Sequence, residues 1–209
     1  MLYLTPLTAT HAAGAARLHI AGQPGTFLTS LGPDVLTVFY RTLPQSPTGF
    51  GFAAMTEPGA RKLEPIAPAL VGFISATTGV GSLFVEMGTR RLGQFLPPLL
   101  ARYLRRPDLA LRSVQTVLYP LLAHEEAAGG SSAELLSIMV EPSARSQGIG
   151  ALLLQALLAT CESRHIETIT VTVDAENIAA RRFYARHGFG EVHQMRLYGR
   201  RMCVYRRQR

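Results

Sequence analysis

The sequence predicts an α/β fold, and three observations carry that assignment. A short apolar run, Leu135 to Val140, ends in the turn Glu141-Pro142-Ser143-Ala144. It then passes through Arg145-Ser146-Gln147-Gly148-Ile149-Gly150 into a long apolar helix. Further on, T-I-T-V-T-V from Thr168 to Val173 alternates and is β-branched, as a strand requires, and a second helical pattern follows it. Finally, 209 residues with 47% hydrophobic content and a mean hydropathy of +0.16 suit one domain, 1–209, with a proper core, and argue against disorder. The prolines and glycines are dispersed, so no low-complexity linker divides the chain, and no internal repeat is present.

In chain order, Leu2 to Leu4 reads as a first strand. Thr8 or Thr10 can cap a helix running through His11 to His19 and Ile20, which Gln23-Pro24-Gly25 breaks. A second helix is expected around Gly32 to Leu43, with Pro33 in its first turn and Val35, Leu36, Val38, Phe39 and Leu43 on one stripe. Residues 50–56 and 68–77 read as two strands joined by a polar loop. From 81 to 124 two helices are expected, broken at Pro97-Pro98 and at Arg106-Pro107, as an insertion covering a sheet edge or walling a pocket. Asp174-Ala175-Glu176-Asn177 starts a helix that runs to His187, where Gly188 supplies the left-handed stop. Val192 to Leu197 and Met202 to Tyr205 close the chain as a hairpin.

The formal charge is +7, almost entirely from arginine, Lys62 being the sole lysine. Such a balance draws anions, yet no aromatic-interleaved basic tract supports nucleic-acid binding. Cys161 and Cys203 sit in apolar contexts without metal-ligand spacing and read as reduced core thiols. The start M-L-Y-L-T-P lacks a signal-peptide pattern, and no apolar run approaches the ~20 residues that span a bilayer. A soluble cytoplasmic protein is expected, with neither membrane nor nucleic acid as partner and no metal.

A strand that feeds a glycine-bearing loop at a helix N-terminus builds an anion cradle, because the first N–H groups of a helix have no partner within it. Gly148 and Gly150 let the backbone approach a bulky anion, or merely allow close helix–strand packing. The loop is neither the G-x-G-x-x-G dinucleotide fingerprint nor a P-loop. Arg145-x-x-Gly148-x-Gly150 does resemble the acyl-CoA loop of the GNAT superfamily of N-acyltransferases. Asn177-x-x-Ala180-x-x-Phe183-Tyr184-x-x-x-Gly188-Phe189 resembles that superfamily's second signature, in the right order and joined by a strand.

The resemblance covers roughly 48–82 and 133–206, and 1–47 loosely. It implies a mixed, bent central sheet of six to seven strands flanked by helices, with the helical insertion between the third and fourth strands. It further implies that strand 134–140 splays from strand 168–173. Acetyl-CoA or a related acyl-CoA would lie in the gap, bonded by backbone groups of Ile138, Met139 and Val140. The N–H groups of Arg145, Ser146, Gln147, Gly148, Ile149 and Gly150 would hold its pyrophosphate. Asn177 is both an excellent helix cap and, by resemblance, a contact of the pantetheine arm.

Tyr184 is the implied general acid, a phenol that stays protonated at neutral pH; otherwise it is one half of an amphipathic pair under the sheet. Glu134 matches the base position of some members, and is otherwise a strand-edge charge. The implied activity is transfer of an acetyl or short acyl group to a primary amine, by direct attack in a ternary complex, the acceptor being a small molecule or a peptide N-terminus. A non-catalytic acyl-CoA-sensing module would keep the same loop. The resemblance leaves a homodimer open.

Overall fold

The computed structural model describes residues 1–57, 68–109, 131–197 and 199–209. Among the described residues seven strands form one mixed sheet in the order β1-β2-β3-β4-β5-β7-β6. β1 (Leu2–Pro6), β2 (Gly49–Thr56), β3 (Ala69–Thr77) and β4 (Ser132–Val140) are successive antiparallel neighbours. β4 and β5 (Thr168–Asp174) are parallel. β5 then pairs antiparallel with β7 (Arg200–Gln208), whose outer edge carries β6 (Gly190–Leu197). This matches the seven-stranded mixed sheet that the two signatures imply.

The helices are α1 (Ala12–Gly22), α2 (Phe27–Ser30), α3 (Pro33–Thr42), α4 (Val80–Gly88), α5 (Leu92–Arg105), α6 (Ile149–Ser163) and α7 (Ile178–Arg186). A parallel pair cannot be joined by a hairpin, and α6 supplies the crossover between β4 and β5. Strand alternation divides the core between the two faces of the sheet. Phe50, Ile74 and Leu135 pack with Leu153, Leu154 and Leu157 of α6, and with Tyr184 and Phe189. Ala53, Phe73 and Met139 face the other way, into a core built by α1, α3, α4 and α5.

Local chemistry sets most boundaries as expected. Thr8 closes a capping box over a single 3₁₀ turn, Ala9–His11, that leads into α1. Gly32, at φ 94°, precedes α3 and Pro33 opens it. Cys161 and Cys203 are free and buried.

The insertion between β3 and β4 departs from expectation. α5 runs unbroken through Pro97 and Pro98, although each proline removes a backbone donor at a cost of about 3 kcal/mol. Tertiary packing holds it. Phe95 is buried, and Leu99 and Tyr103 lie against the α1/α3 core, so one face of the helix is fixed on both sides of the prolines. The break at Arg106 is present, and α4 is an additional helix ahead of α5. Apart from Leu109, which is buried, the helix expected over Leu109 to Leu122 lies outside the described residues. Among the described residues no helix is long and apolar enough to cross a membrane.

Candidate active site

The parallel pair opens in its middle. β4 and β5 are in register from Ser132↔Thr168 to Leu135↔Val171, and the pairing ends there. β4 continues to Val140 and β5 to Asp174, each still paired only on its far edge, with β3 and β7. The cause lies in β4. Its register against β3 shifts between Ser75 and Ala76, leaving Leu136 as an extra residue. Such a bulge bends its strand and re-aims the side chains beyond it. Before the bulge Ala133 and Leu135 face the α6 core. After it Met139 faces the α1/α3 core, while Ile138 and Val140 turn toward α6. The edge of Leu136 to Val140 that faces β5 is therefore a row of backbone groups with no strand partner, as an added strand would need.

The loop at the wide end of this opening is tightly wound. A 3₁₀ turn, Pro142–Ala144, leads to Arg145 in extended conformation, followed by Ser146 at φ 63° and Gly148 at φ 79°. Both lie in the left-handed region. Gly148 meets no atom where a Cβ would stand, so conformation and not space requires glycine there. Ser146 carries a side chain in that region, a strain that persists only where the surroundings impose it. Gly148 caps α6, whose first N–H groups point into the loop.

The side chains fold back onto the loop. Arg145 Nε donates to the Val140 carbonyl at 3.2 Å, and the Gln147 amide donates to the Ser143 carbonyl at 3.4 Å. The loop thus presents backbone N–H groups, with the Arg145 guanidinium tied to the strand end.

Tyr184 of α7 is buried, edge-to-face with Phe183 and Phe189 at centroid distances of 5.3 and 5.4 Å. Its hydroxyl has no hydrogen-bond partner among the described residues, and burial raises its pKa, so it remains a proton donor throughout the neutral range. The neighbouring Phe183 ring lies 3.6 Å from where a Cβ on Gly150 would sit, with the Val140 side chain at 4.0 Å. The start of α6, the end of β4 and α7 therefore converge. Asn177 caps α7, its Oδ1 accepting from the Ala180 N–H at 3.0 Å.

Glu134 sits in the closed neck of the opening, opposite Thr77 on β3 and Thr170 on β5. Alternation puts it on the α1/α3 face, opposite to the face on which Tyr184 lies. The two candidate proton-transfer groups thus flank the opening from opposite sides of the sheet, and Glu134 is about 13 Å of strand from Ile138. Beside the far end of β5 an open depression of about 420 Å³ is lined by Asp174, Glu176, Arg196, Gly199, Arg200 and Arg201, with Asp174 and Arg200 ion-paired.

Two features here escape sequence reasoning. The Ser146 backbone is one. The other is a buried chain of hydrogen bonds under β4: His19 Nδ1 to Tyr40 Oη at 2.6 Å, and Tyr40 Oη to Ser137 Oγ at 3.0 Å. Its members lie 21 and 97 residues apart, and no local pattern marks them.

The described residues thus form a mixed α/β sheet opened at its one described parallel pair, with a helix-capped glycine loop at the wide end. Residues 115–189 match the sequence model of the acetyltransferase (GNAT) family, a span that includes the loop, α6, β5 and α7. That span thus resembles the GNAT family, and the fold of the described residues is GNAT-like.

Solved structures with this fold include NAA60 of Arabidopsis thaliana in complex with acetyl-CoA, 14% identical, covering 100% of this chain and 98% of that one, with a TM-score of 0.61. The ribosomal-protein-S18-alanine N-acetyltransferase of Escherichia coli is 18% identical, covering 100% and 94%, with a TM-score of 0.57. The PaiA N-acetyltransferase of Thermoplasma acidophilum in complex with coenzyme A is 13% identical, covering 100% and 99%, with a TM-score of 0.57. No curated protein matches the chain at the level of sequence.

Proposed function

We propose that the protein transfers an acetyl or short acyl group from acyl-CoA to a primary amine, on a small molecule or at a protein N-terminus. What carries this conclusion is the opening between β4 and β5 with the α6 cradle at its wide end. The unpaired edge of Ile138, Met139 and Val140 suits the amides of a pantetheine arm. The N–H groups from Arg145 to Gly150 suit a pyrophosphate. Complexes of similarly folded proteins with acetyl-CoA and coenzyme A support the same donor.

In the proposed reaction the neutral amine attacks the thioester carbonyl carbon directly. The C–N bond forms, the C–S bond breaks, and the sulfur leaves as thiolate and takes a proton from Tyr184. The amine's proton departs toward Glu134, which at the neck of the opening acts through water. The tyrosinate recovers its proton from solvent. The protein contributes positioning, polarisation of the carbonyl by strand N–H groups, and proton transfer. The acceptor is reached from the α1/α3 face or from the depression at Asp174 and Arg200, where both charge signs are present.

The test is release of free CoA from acetyl-CoA in the presence of a panel of amines and of peptides with free N-termini. Release that depends on one amine class supports transferase activity. Tight acetyl-CoA binding with no release for any amine would favour the acyl-CoA-sensing module instead.

A further inference from the structure

Buried under the free stretch of β4 is a directed hydrogen-bond chain that the reaction above does not use. Tyr40 is wholly buried, and its hydroxyl donates to Ser137 Oγ at 3.0 Å. Having spent its only proton there, it must accept from His19 Nδ1 at 2.6 Å. His19 Nδ1 therefore carries a proton, and burial, which lowers the ring's pKa to about 4, keeps the imidazole neutral. That low affinity for protons rules His19 out as the base that collects the amine's proton. It suits a fixed dipole instead.

The polarity of the chain has one outlet. Ser137 accepts from Tyr40, and among the described residues its own O–H has no acceptor. Its cross-strand partner, Ser75, is on the same face, and its Oγ too is buried without a partner among the described residues. A protein core seldom leaves such groups unmatched, since a buried hydroxyl without a partner forfeits its hydration and gains nothing. Ser137 is also the first residue beyond the Leu136 bulge, past the last β4–β5 pair at Leu135↔Val171. Its hydroxyl thus sits where the opening begins, at the end of the Ile138–Val140 edge remote from the pyrophosphate cradle. α1 lies directly over this place: a Cβ on Gly22 would fall 2.6 Å from Met139 Sδ.

We infer that Ser137 donates a hydrogen bond to the acyl carbonyl oxygen, as a side-chain member of its oxyanion site, and that Tyr40 and His19 are positioning residues that hold this hydroxyl in line. The inference rests on the acyl-CoA reading of the opening. An extended arm anchored at the α6 cradle and running back along Val140, Met139 and Ile138 brings its acyl end to Ser137. The serine loses no proton. It strengthens its bond as negative charge grows on the carbonyl oxygen, and the withdrawal of density through Tyr40 toward His19 makes it a better donor.

The test uses acetyl-CoA labelled with carbon-13 at the thioester carbonyl, bound to the full chain and followed by NMR. Its slow hydrolysis by water serves as a turnover that needs no acceptor. In Ser137→Ala the carbonyl resonance should move toward its position in free acetyl-CoA, and hydrolysis should fall about ten- to a hundredfold, within or just below the range for loss of one oxyanion donor. Acetyl-CoA affinity should change little, while the melting temperature should fall in Ser137→Ala, because the buried Tyr40 hydroxyl loses its acceptor. Tyr40→Phe keeps the ring packing and should shift the resonance part of the way, and the double variant should lose no more than Ser137→Ala alone. A resonance identical in wild type and Ser137→Ala would overturn the inference while leaving the acyl-CoA site intact. Absence of acetyl-CoA binding to the wild-type protein would overturn both.

Discussion

His19 makes the stability of this protein depend on pH in a way that can be isolated. The side chain is 1% exposed, its Nδ1 is committed to Tyr40, and its Nε2 is buried without a partner among the described residues. An imidazolium there would lose hydration on every side and gain nothing, and burial accordingly lowers the pKa from 6.5 to about 4. In the unfolded chain the same residue protonates near 6.5. Above that value neither state binds a proton at His19 and its contribution is fully present. As the pH falls below it the unfolded state takes up a proton that the folded state refuses, and stability drains away until the pH nears 4. At about 1.4 kcal/mol for each tenfold in proton affinity, the loss amounts to about 3 kcal/mol.

Urea unfolding at pH 7.5 and pH 4.5 measures it, provided the same pair of curves is recorded for His19→Gln. All other titrating groups are common to the two proteins, so the wild type should lose about 2.5 kcal/mol more than the variant between those pH values. Equal losses would refute the account, as would a His19 resonance that titrates near 6.5 in the folded protein.

Further predictions concern the site itself. Tyr184→Phe should lower CoA release about 10²- to 10⁴-fold with acetyl-CoA affinity and melting temperature unchanged, because the hydroxyl holds no partner whose loss would be felt; unchanged turnover removes Tyr184 from the reaction. Glu134→Gln should displace the acidic limb of the pH–rate profile if that carboxylate receives the amine's proton, and a profile superimposable on wild type would exclude it. Gly148→Ala puts a side chain at φ 79° in open space, so it should cost about 1–2 kcal/mol of stability through backbone strain alone and weaken acetyl-CoA binding measured by calorimetry. Asn177→Ala should cost about 1 kcal/mol in thermal or urea unfolding through loss of the cap to Ala180.

The parts of the fold that were legible in the sequence are those written in adjacent residues. The strand before Glu141, the cap at Asn177 and the stop at Gly188 each follow from a few neighbours, and the structure has all three. The position of the opening was implied by family resemblance. Its physical cause, the extra residue at Leu136, depends on β3 and leaves no mark in the β4 sequence. Pro97 and Pro98 misled for the converse reason. A strong local signal was outweighed by the packing of Phe95, Leu99 and Tyr103 against helices far away in the chain. The His19–Tyr40–Ser137 chain was invisible because three unremarkable residues acquire meaning only where α1, α3 and β4 meet.

The central claim is that acyl-CoA lies between β4 and β5 with its pyrophosphate on the start of α6. Amide hydrogen exchange, recorded residue by residue with and without acetyl-CoA, tests it most directly. Added ligand should slow exchange at Ile138, Met139 and Val140 and across Ser146 to Gly150, and leave the β6–β7 pair unaffected. Protection confined to other segments, or none at any of these amides with the ligand bound, would contradict it.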